Sequence, residues 1–158
     1  MKTYNLKKFL QFVTILSAVG LFSAAQAAAI VVNLEVNDSQ TKLVATTKGT
    51  CISGNNTPGC VHASGQVQIN FNLTGNTTCT LDHVAIGDPG NISEVAAKDF
   101  NADMSSGLVS PISQNDRHIL IRDNNTAVYD IAYTVYAQCN GVLIDSDPRV
   151  ENDGSGHP

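Results

Sequence analysis

The sequence predicts an all-β protein, an antiparallel sandwich of about seven short strands that follows a cleaved signal peptide. Three observations support this fold class. Apolar residues alternate with polar ones in several segments, which is typical of strands with one buried and one solvated face. Turn-forming residues separate these segments. The four cysteines form an even set, as in disulfide-stabilised exported domains.

Residues 1–27 are predicted to be the signal peptide. Three lysines give a basic start, residues 9–24 form an apolar run, and the segment ending at Ala27 has the small-residue pattern of a cleavage site. Cleavage there leaves about 130 residues, enough for one hydrophobic core and too few for two. We therefore predict a β-sandwich domain over residues 28–153 and a disordered tail over residues 154–158.

The charge of the exported part excludes some functions. The chain has nine Lys and Arg and 14 Asp and Glu, and the leader removes three of the lysines and no acid. Six basic against 14 acidic groups give a formal charge of −8, so we expect no nucleic-acid binding, which depends on clustered Lys and Arg. No later apolar run approaches the roughly 20 residues of a membrane span. An exported protein, periplasmic or secreted, is predicted.

The strands are predicted from their alternation, in order along the chain. It is clearest at residues 67–73, where every second residue is large and apolar, and it recurs at both ends of the domain. The predicted strands are residues 30–36, 43–47, 67–73, 80–86, 119–122, 128–138 and 142–145. Asn140-Gly141 joins the last two, and this dipeptide favours the positive φ angles of a tight hairpin turn.

Residues 87–115 interrupt the pattern with Gly, Pro, Asp, Asn and Ser. Within them, residues 93–100 can form a short helix in which Glu94 and Lys98 are placed to pair. A connection of this length is often functional, but it can equally be a crossover that covers one end of the core. Both interpretations stay open from the sequence.

The cysteines are predicted to form the disulfides Cys51–Cys60 and Cys79–Cys139. The first pair flanks a stretch rich in Gly, Asn and Pro that can fold back on itself, and the second follows by elimination. Cys139 has the parity of the core residues of its strand, as a bridge between two packed sheets requires. The spacing does not fit a zinc site.

The C-terminal part resembles the DP-EP family of small bacterial proteins, named for a near-terminal Asp-Pro motif after a β-hairpin. The matching segments are residues 119–126, 128–138 and 142–152, and the likeness extends over residues 66–153. The motif here is Asp147-Pro148-Arg149-Val150-Glu151-Asn152, in which Asp147, Pro148 and Asn152 are the family-like positions. The resemblance implies an immunoglobulin-like β-sandwich of uncharacterised function and offers no catalytic residues. The leader and the four cysteines depart from the family.

No enzyme signature is found, and we predict that the protein is not an enzyme. The histidines stand outside any hydrolase or metalloprotease motif, and cysteines in disulfides cannot act as nucleophiles. Paired carboxylates could hydrolyse a glycosidic bond, but acids this numerous can always be paired on paper.

An acidic segment near the C-terminus is a candidate calcium site. Its candidate ligands are Asp145, Asp147 and Glu151, with a second polar group at residues 123–125. Two simpler explanations are a solvated acidic tail and an internal partner, Arg122 or Arg149, of which the arginine is preferred to calcium. Apart from this possible calcium ion, no cofactor is expected.

The function predicted is protein binding or assembly at the cell envelope, for instance by pairing of an exposed sheet edge with another chain. One alternative is a periplasmic inhibitor that blocks a hydrolase with the disulfide-fixed loop between Cys51 and Cys60. A small hydrolase with carboxylate catalysis is the other. The partner and the oligomeric state cannot be derived from the sequence.

Overall fold

The computed structural model describes residues 27–52, 57–146 and 148–155, and it shows an all-β protein with one short helix. The signal peptide predicted over residues 1–27 lies, apart from Ala27, outside this part of the chain. In the described part no helix is long and apolar enough to cross a membrane. The elements are β1 (Ala28–Val36), β2 (Leu43–Ala45), β3 (Val61–Ala63), β4 (Val67–Leu73), β5 (Thr80–Ile86), α1 (Glu94–Phe100), β6 (Ser113–Asn115), β7 (His118–Asp123), β8 (Val128–Cys139), β9 (Val142–Ser146) and β10 (Arg149–Asp153).

The strands form two sheets. Both contain parallel as well as antiparallel pairs, whereas the sequence predicts antiparallel sheets. One has the order β2-β1-β4-β7-β6, and the other has the order β3-β10-β8-β5 with β9 paired to β8. The parallel pairs are β1 with β4 and β10 with β3. The first pair arises because the chain leaves the first sheet after β2, forms β3 in the second sheet, and returns beside β1 in the same direction.

All seven predicted strands are present, but the described residues contain three more. These are β3 and β6, with three residues each, and β10. The residues of β6 are all exposed, so their sequence carries no alternation. A solvated acidic tail is one of the explanations that the sequence allows for the acids of β10. β10 pairs instead with β8 on one side and β3 on the other.

The two sheets share one hydrophobic core. Phe71 from β4 and Tyr133 from β8 are fully buried, and their ring centroids are 5.2 Å apart across the core. In β4 the buried residues alternate strictly with half-buried polar ones, as its sequence predicts. A tilted aromatic pair of this kind adds to the stabilisation that its buried area provides.

The hairpin of β8 with β9 and β10 forms one side of the second sheet. The predicted turn is confirmed, since Asn140 and Gly141 have φ angles of 51° and 81°. Pairing continues in one register past the Asp-Pro interruption, and Tyr133 N donates to Pro148 O at 3.0 Å. Both β9 and β10 thus pair with β8 on one side. On the other side their neighbours differ, because β9 contacts β2 whereas β10 pairs with β3.

The segment between β5 and β6 covers the outer edge of β5. The predicted helix is present as α1, which Ser93 caps by accepting a hydrogen bond from Ala96 N. After the helix, Val109 N donates to Val84 O and Gly107 O accepts from Ile86 N. These bonds close an edge that would otherwise be open, which supports the interpretation of the segment as a cover.

Both predicted disulfides, Cys51–Cys60 and Cys79–Cys139, are present. Cys139 is buried in the core, as its parity indicates. The bridge does not join the two sheets, however, because Cys79 and Cys139 lie at adjoining ends of β5 and β8, which are neighbours in one sheet. The register of these two strands brings the sulfurs together without contribution from the other sheet.

The two disulfides should differ in their contribution to stability. Their sequence separations are 60 residues for Cys79–Cys139 and 9 for Cys51–Cys60. Loop entropy predicts losses of roughly 4 kcal/mol for Cys79→Ala/Cys139→Ala and roughly 2.5 kcal/mol for Cys51→Ala/Cys60→Ala. Urea unfolding of both double variants measures the difference. An equal or reversed order would show that chain entropy does not dominate.

Candidate functional site

Two described residues of the Asp-Pro motif, Pro148 and Asn152, contact different parts of the protein. Asp147 lies outside the described residues. Pro148 packs against the disulfide loop. A Cβ added to Gly59 of this loop would lie 3.1 Å from the Cβ of Pro148. Asn152 is only 4% exposed, and its Nδ2 donates to Asp123 Oδ1 at 3.1 Å. The motif thus touches both the loop and the second polar group identified in the sequence.

The structure describes two of the three predicted calcium ligands. Asp145 is exposed on β9, and Glu151 accepts a hydrogen bond from Ile52 N at 2.7 Å and lies 4.0 Å from His62. In the described part of the chain, the only group with ligand-like spacing is Cys51, Cys60 and Glu151, whose sulfurs form a disulfide. The calcium site stays a prediction.

Of the two arginines proposed as partners of these acids, only Arg122 has a described side chain. It is exposed on β7, which belongs to the first sheet, whereas the acidic strands β9 and β10 lie in the second. The strand that carries Arg122 is therefore not a neighbour of the acidic strands. The side chain of Arg149 lies outside the described part of the chain.

Instead, the structure forms a buried acidic cluster, which we define as Asp99, Asp123, Asn125, Tyr129 and Asn152. These residues come from α1, the end of β7, the β7–β8 connection, β8 and β10. Four of them are at most 4% exposed, and Tyr129 is half-buried. Buried polar groups are costly unless they are hydrogen-bonded, so their partners determine the role of the cluster.

Asp99 accepts three hydrogen bonds. Its donors are Thr126 N at 3.0 Å, Thr126 Oγ1 at 2.6 Å and the Tyr129 hydroxyl at 2.9 Å. The sequence interpretation did not identify Asp99, although one signal was available: it lies three residues after the apolar Ala96, on the side of α1 that is buried. An acid on such a face indicates a specific set of donors.

Asn125 fixes the chain end to the β7–β8 connection. It adopts φ of 50°, its backbone N donates to Asp123 Oδ1, and its Nδ2 donates to Ala63 O and Asp153 Oδ1. Its Oδ1 accepts from Gly154 N at 2.8 Å, so the first residue of the predicted tail is bonded. Residues 156–158 lie outside the described part.

The protein environment shifts the pKa values of two acids, Asp123 in the cluster and Asp103 outside it, in opposite directions. Burial raises the pKa of Asp123 to about 6, and nearby Asp99 adds to this effect, while the bonds from Asn125 and Asn152 oppose it. Asp103 is exposed, and the side-chain hydrogen bond from Ser105, with further bonds from Ser105 N and Ser106, lowers its pKa to about 2. The cluster therefore contains a carboxyl group that titrates close to neutral pH.

A second feature is the outer edge of β1 over residues 28–32. Among the described residues, β2 pairs with β1 only from Leu34, and Thr46 N bonds to Asn33 O. Backbone groups alternate in direction along a strand, so those of Ala29 and Val31 point to the same side as those of Asn33. Over residues 28–32 that side carries no described strand, and Val31 is 42% exposed.

Three features are thus candidates for function: the buried acidic cluster, the open edge of β1 and the disulfide-fixed loop. No protein-family model matches the sequence, and no curated protein is significantly similar to it.

The loop at Gly59 should tolerate no side chain. A Cβ there would lie 2.7 Å from Ala45 Cβ, at φ of 84°, so Gly59→Ala should cost about 2–3 kcal/mol. Gly75→Ala is the matched control because Gly75 has φ of 75° with open space around it. It should cost about 1 kcal/mol. Equal losses in thermal unfolding would show that packing at Gly59 is unimportant.

Replacing Asp99 should leave its donors without an acceptor. In Asp99→Asn, an amide group faces an N–H or O–H donor in either orientation, and the expected loss is about 2–3 kcal/mol of unfolding free energy. Asp103→Asn makes the same chemical change at an exposed acid that also accepts several bonds, and its loss should be much smaller. Chemical denaturation of both variants decides whether burial makes the difference.

Proposed function

We propose that the protein is an exported, non-catalytic β-sandwich that assembles by strand addition, and that the strand it adds is β1 of a second copy. The observation that carries the proposal is the open edge of β1. Strand addition needs a row of unpaired backbone groups on an exposed edge, and Ala29 and Val31 provide it.

The edge is complementary to itself. Asn33 already bonds to residues that follow β2, so Ala29 and Val31 are the positions left for a partner. In an antiparallel pair related by a two-fold axis at Ile30, Ala29 of each copy faces Val31 of the other, and each pair exchanges both backbone hydrogen bonds. This register continues the sheet from one copy into the next.

The charge distribution favours the same partner. The exported part is strongly acidic, but residues 28–32 contain no charged side chain. Two copies can therefore approach along this edge without placing like charges opposite one another. A pair of edges this short buries less than the roughly 1,200 Å² of a standard interface, so the dimer is expected to be weak and concentration-dependent.

Export and the periplasmic or secreted location are parts of the proposal. The two disulfides support them because disulfides persist in oxidising compartments. The leader-like residues 1–27 support them at the level of sequence.

The absence of catalysis is also proposed. The carboxyl group of Asp123 has the perturbed pKa that a general acid needs, yet Asp123 and neighbouring Asp99 are closed to solvent. A substrate cannot reach acids in this position without local opening. Their burial favours a structural role over that of a hydrolase.

We further propose that the fold is immunoglobulin-like and related to the DP-EP family. Two sheets around one core, and a C-terminal hairpin followed by the Asp-Pro motif, support this assignment. The parallel pairs formed by β1 with β4 and by β10 with β3 are departures that the resemblance does not imply.

Inhibition of a hydrolase is the second candidate function, and one residue favours it. Ile52 is 74% exposed beside Cys51, and its backbone N is held by Glu151 at 2.7 Å. An apolar side chain on a disulfide-fixed loop loses little entropy when it enters a pocket. Residues 53–56 of this loop lie outside the described part of the chain.

Sedimentation of the exported protein over a wide concentration range tests the assembly. Val31→Lys should abolish the concentration-dependent dimer, because a charge on the edge opposes its self-pairing. Val44→Lys is the matched control: Val44 is 45% exposed on β2 of the same sheet. It should dimerise like the wild type.

Other outcomes would contradict the proposal. Loss of the dimer in Val44→Lys but not in Val31→Lys would place the interface on β2. A wild type that stays monomeric at all concentrations would exclude assembly with a second copy, and a 1:1 complex with a hydrolase that needs Ile52 would favour inhibition.

A further inference from the structure

Two oxygen atoms of the buried acidic cluster lack a donor. Asn152 Nδ2 and the backbone N of Asn125 both bond to Asp123 Oδ1, at 3.1 and 2.9 Å. Asp123 Oδ2 and Asn152 Oδ1 receive no hydrogen bond from the described residues, although both side chains are closed to solvent. Buried acceptors without donors are rare because each forfeits the hydrogen bond that it would make in water.

No described basic side chain neutralises these acids. The ion pairs in the described part of the chain are His62–Glu151 and His83–Asp82, and neither involves Asp99 or Asp123. Both oxygens of Asp99 already accept hydrogen bonds. Within the described part of the chain, the positive species left to neutralise the remaining oxygens is a small one, either a metal cation or a proton.

The number of oxygens distinguishes these possibilities. Calcium takes six to eight oxygen ligands, whereas the cluster offers two oxygens without donors. A proton needs one oxygen to carry it and one to accept it. A carboxylic acid and an amide provide this, since they can join through two hydrogen bonds, and one of the two is already in place.

We propose that Asp123 binds a proton on Oδ2 in the folded protein and donates it to Asn152 Oδ1. The proton is taken from solvent on folding and returned on unfolding, so no other reactant is required. The acid–amide pair then fastens β10, the last strand, to the end of β7 in the other sheet. Deprotonation leaves a buried charge beside Asp99 and removes the second bond of the pair.

The sign of the pH dependence follows from the raised pKa of Asp123. With a value of about 6 in the folded protein against 3.8 ordinarily, the folded state binds more protons between these limits. The stability that this group contributes is present in acid and is lost as the pH rises from about 4 through 6. The other charged or titratable residues on the elements around Asp123 are Glu94, Lys98 and Asp99 of α1, His118 and Arg122 of β7, Tyr129, Asp130, Tyr133 and Tyr136 of β8, Arg149, Glu151 and Asp153 of β10, and His62 of β3.

Two of these groups titrate outside the window. Burial raises the pKa of Tyr129 far into the alkaline range, and the side-chain hydrogen bond from Ser155 lowers the pKa of Asp153 well below its usual range. His62, on the strand beside β10, is controlled by measuring the protein in a His62→Gln background. The pH dependence that remains can then be assigned by comparison with Asp123→Asn.

The experiment measures the unfolding equilibrium of the exported protein in urea from pH 4 to pH 7. An amide at position 123 donates permanently where the proposed acid donates only when protonated. The equilibrium constant for unfolding of the parent should therefore rise about 50-fold relative to that of Asp123→Asn over this range. Equal pH profiles would overturn the proposal.

A second measurement does not depend on the variant folding. The carboxyl ¹³C resonance of Asp123 in the parent protein should titrate with a midpoint close to 6, and a midpoint near its ordinary value would overturn the proposal. Calcium chloride should not raise the melting temperature through this site. A calcium-dependent rise that is lost in Asp123→Asn would show a metal ion in place of the proton.

Discussion

Tyr133 connects three parts of this protein. Its ring packs on Phe71 of the opposite sheet, its hydroxyl donates to Gly59 O in the disulfide loop, and its backbone N bonds to Pro148. The core, the loop and the Asp-Pro interruption therefore meet at one residue of β8. Their positions are coupled, because moving Tyr133 breaks a packed aromatic contact and exposes a buried hydroxyl.

The sequence was sufficient for features set by local pattern. Alternation located seven strands, and the composition between Cys51 and Cys60 indicated their pairing. Asn140-Gly141 indicated the hairpin turn. What it could not provide depends on contacts distant in the chain: the parallel pairing of β1 with β4 follows from the route through β3, and β10 forms because two strands accept its polar sequence as a partner.

Contacts between residues distant in the chain also explain why the predicted acidic site does not form as expected. The acids were predicted to gather as Asp145, Asp147 and Glu151, since they are close in sequence. Asp145 and Glu151 nevertheless lie far apart along β8, opposite Tyr136 and Asp130. Asp123 and Asn152, which are 29 residues apart, meet instead. Asp99 joins them from α1, where its position on the buried side of the helix indicates burial but not which residues it contacts.

The buried acidic cluster and the open edge of β1 treat polar groups in opposite ways. The cluster closes polar groups away from water and holds the chain end, whereas the edge leaves backbone groups of Ala29 and Val31 available to a partner. The rest of the β strands manage their edges by cover or brevity, as β5 and β6 illustrate. An uncharged edge without such protection is what gives β1 its proposed role in assembly.

Amide hydrogen exchange at Val31 tests that role most directly. In the monomer this amide has no described acceptor, so it should exchange rapidly in dilute solution. As the protein concentration rises, its exchange should slow together with that of Ala29, while the already bonded amide of Leu73 stays protected throughout. Exchange at Val31 that is slow in dilute solution, or that stays fast at concentrations where a dimer has formed, would contradict assembly through β1.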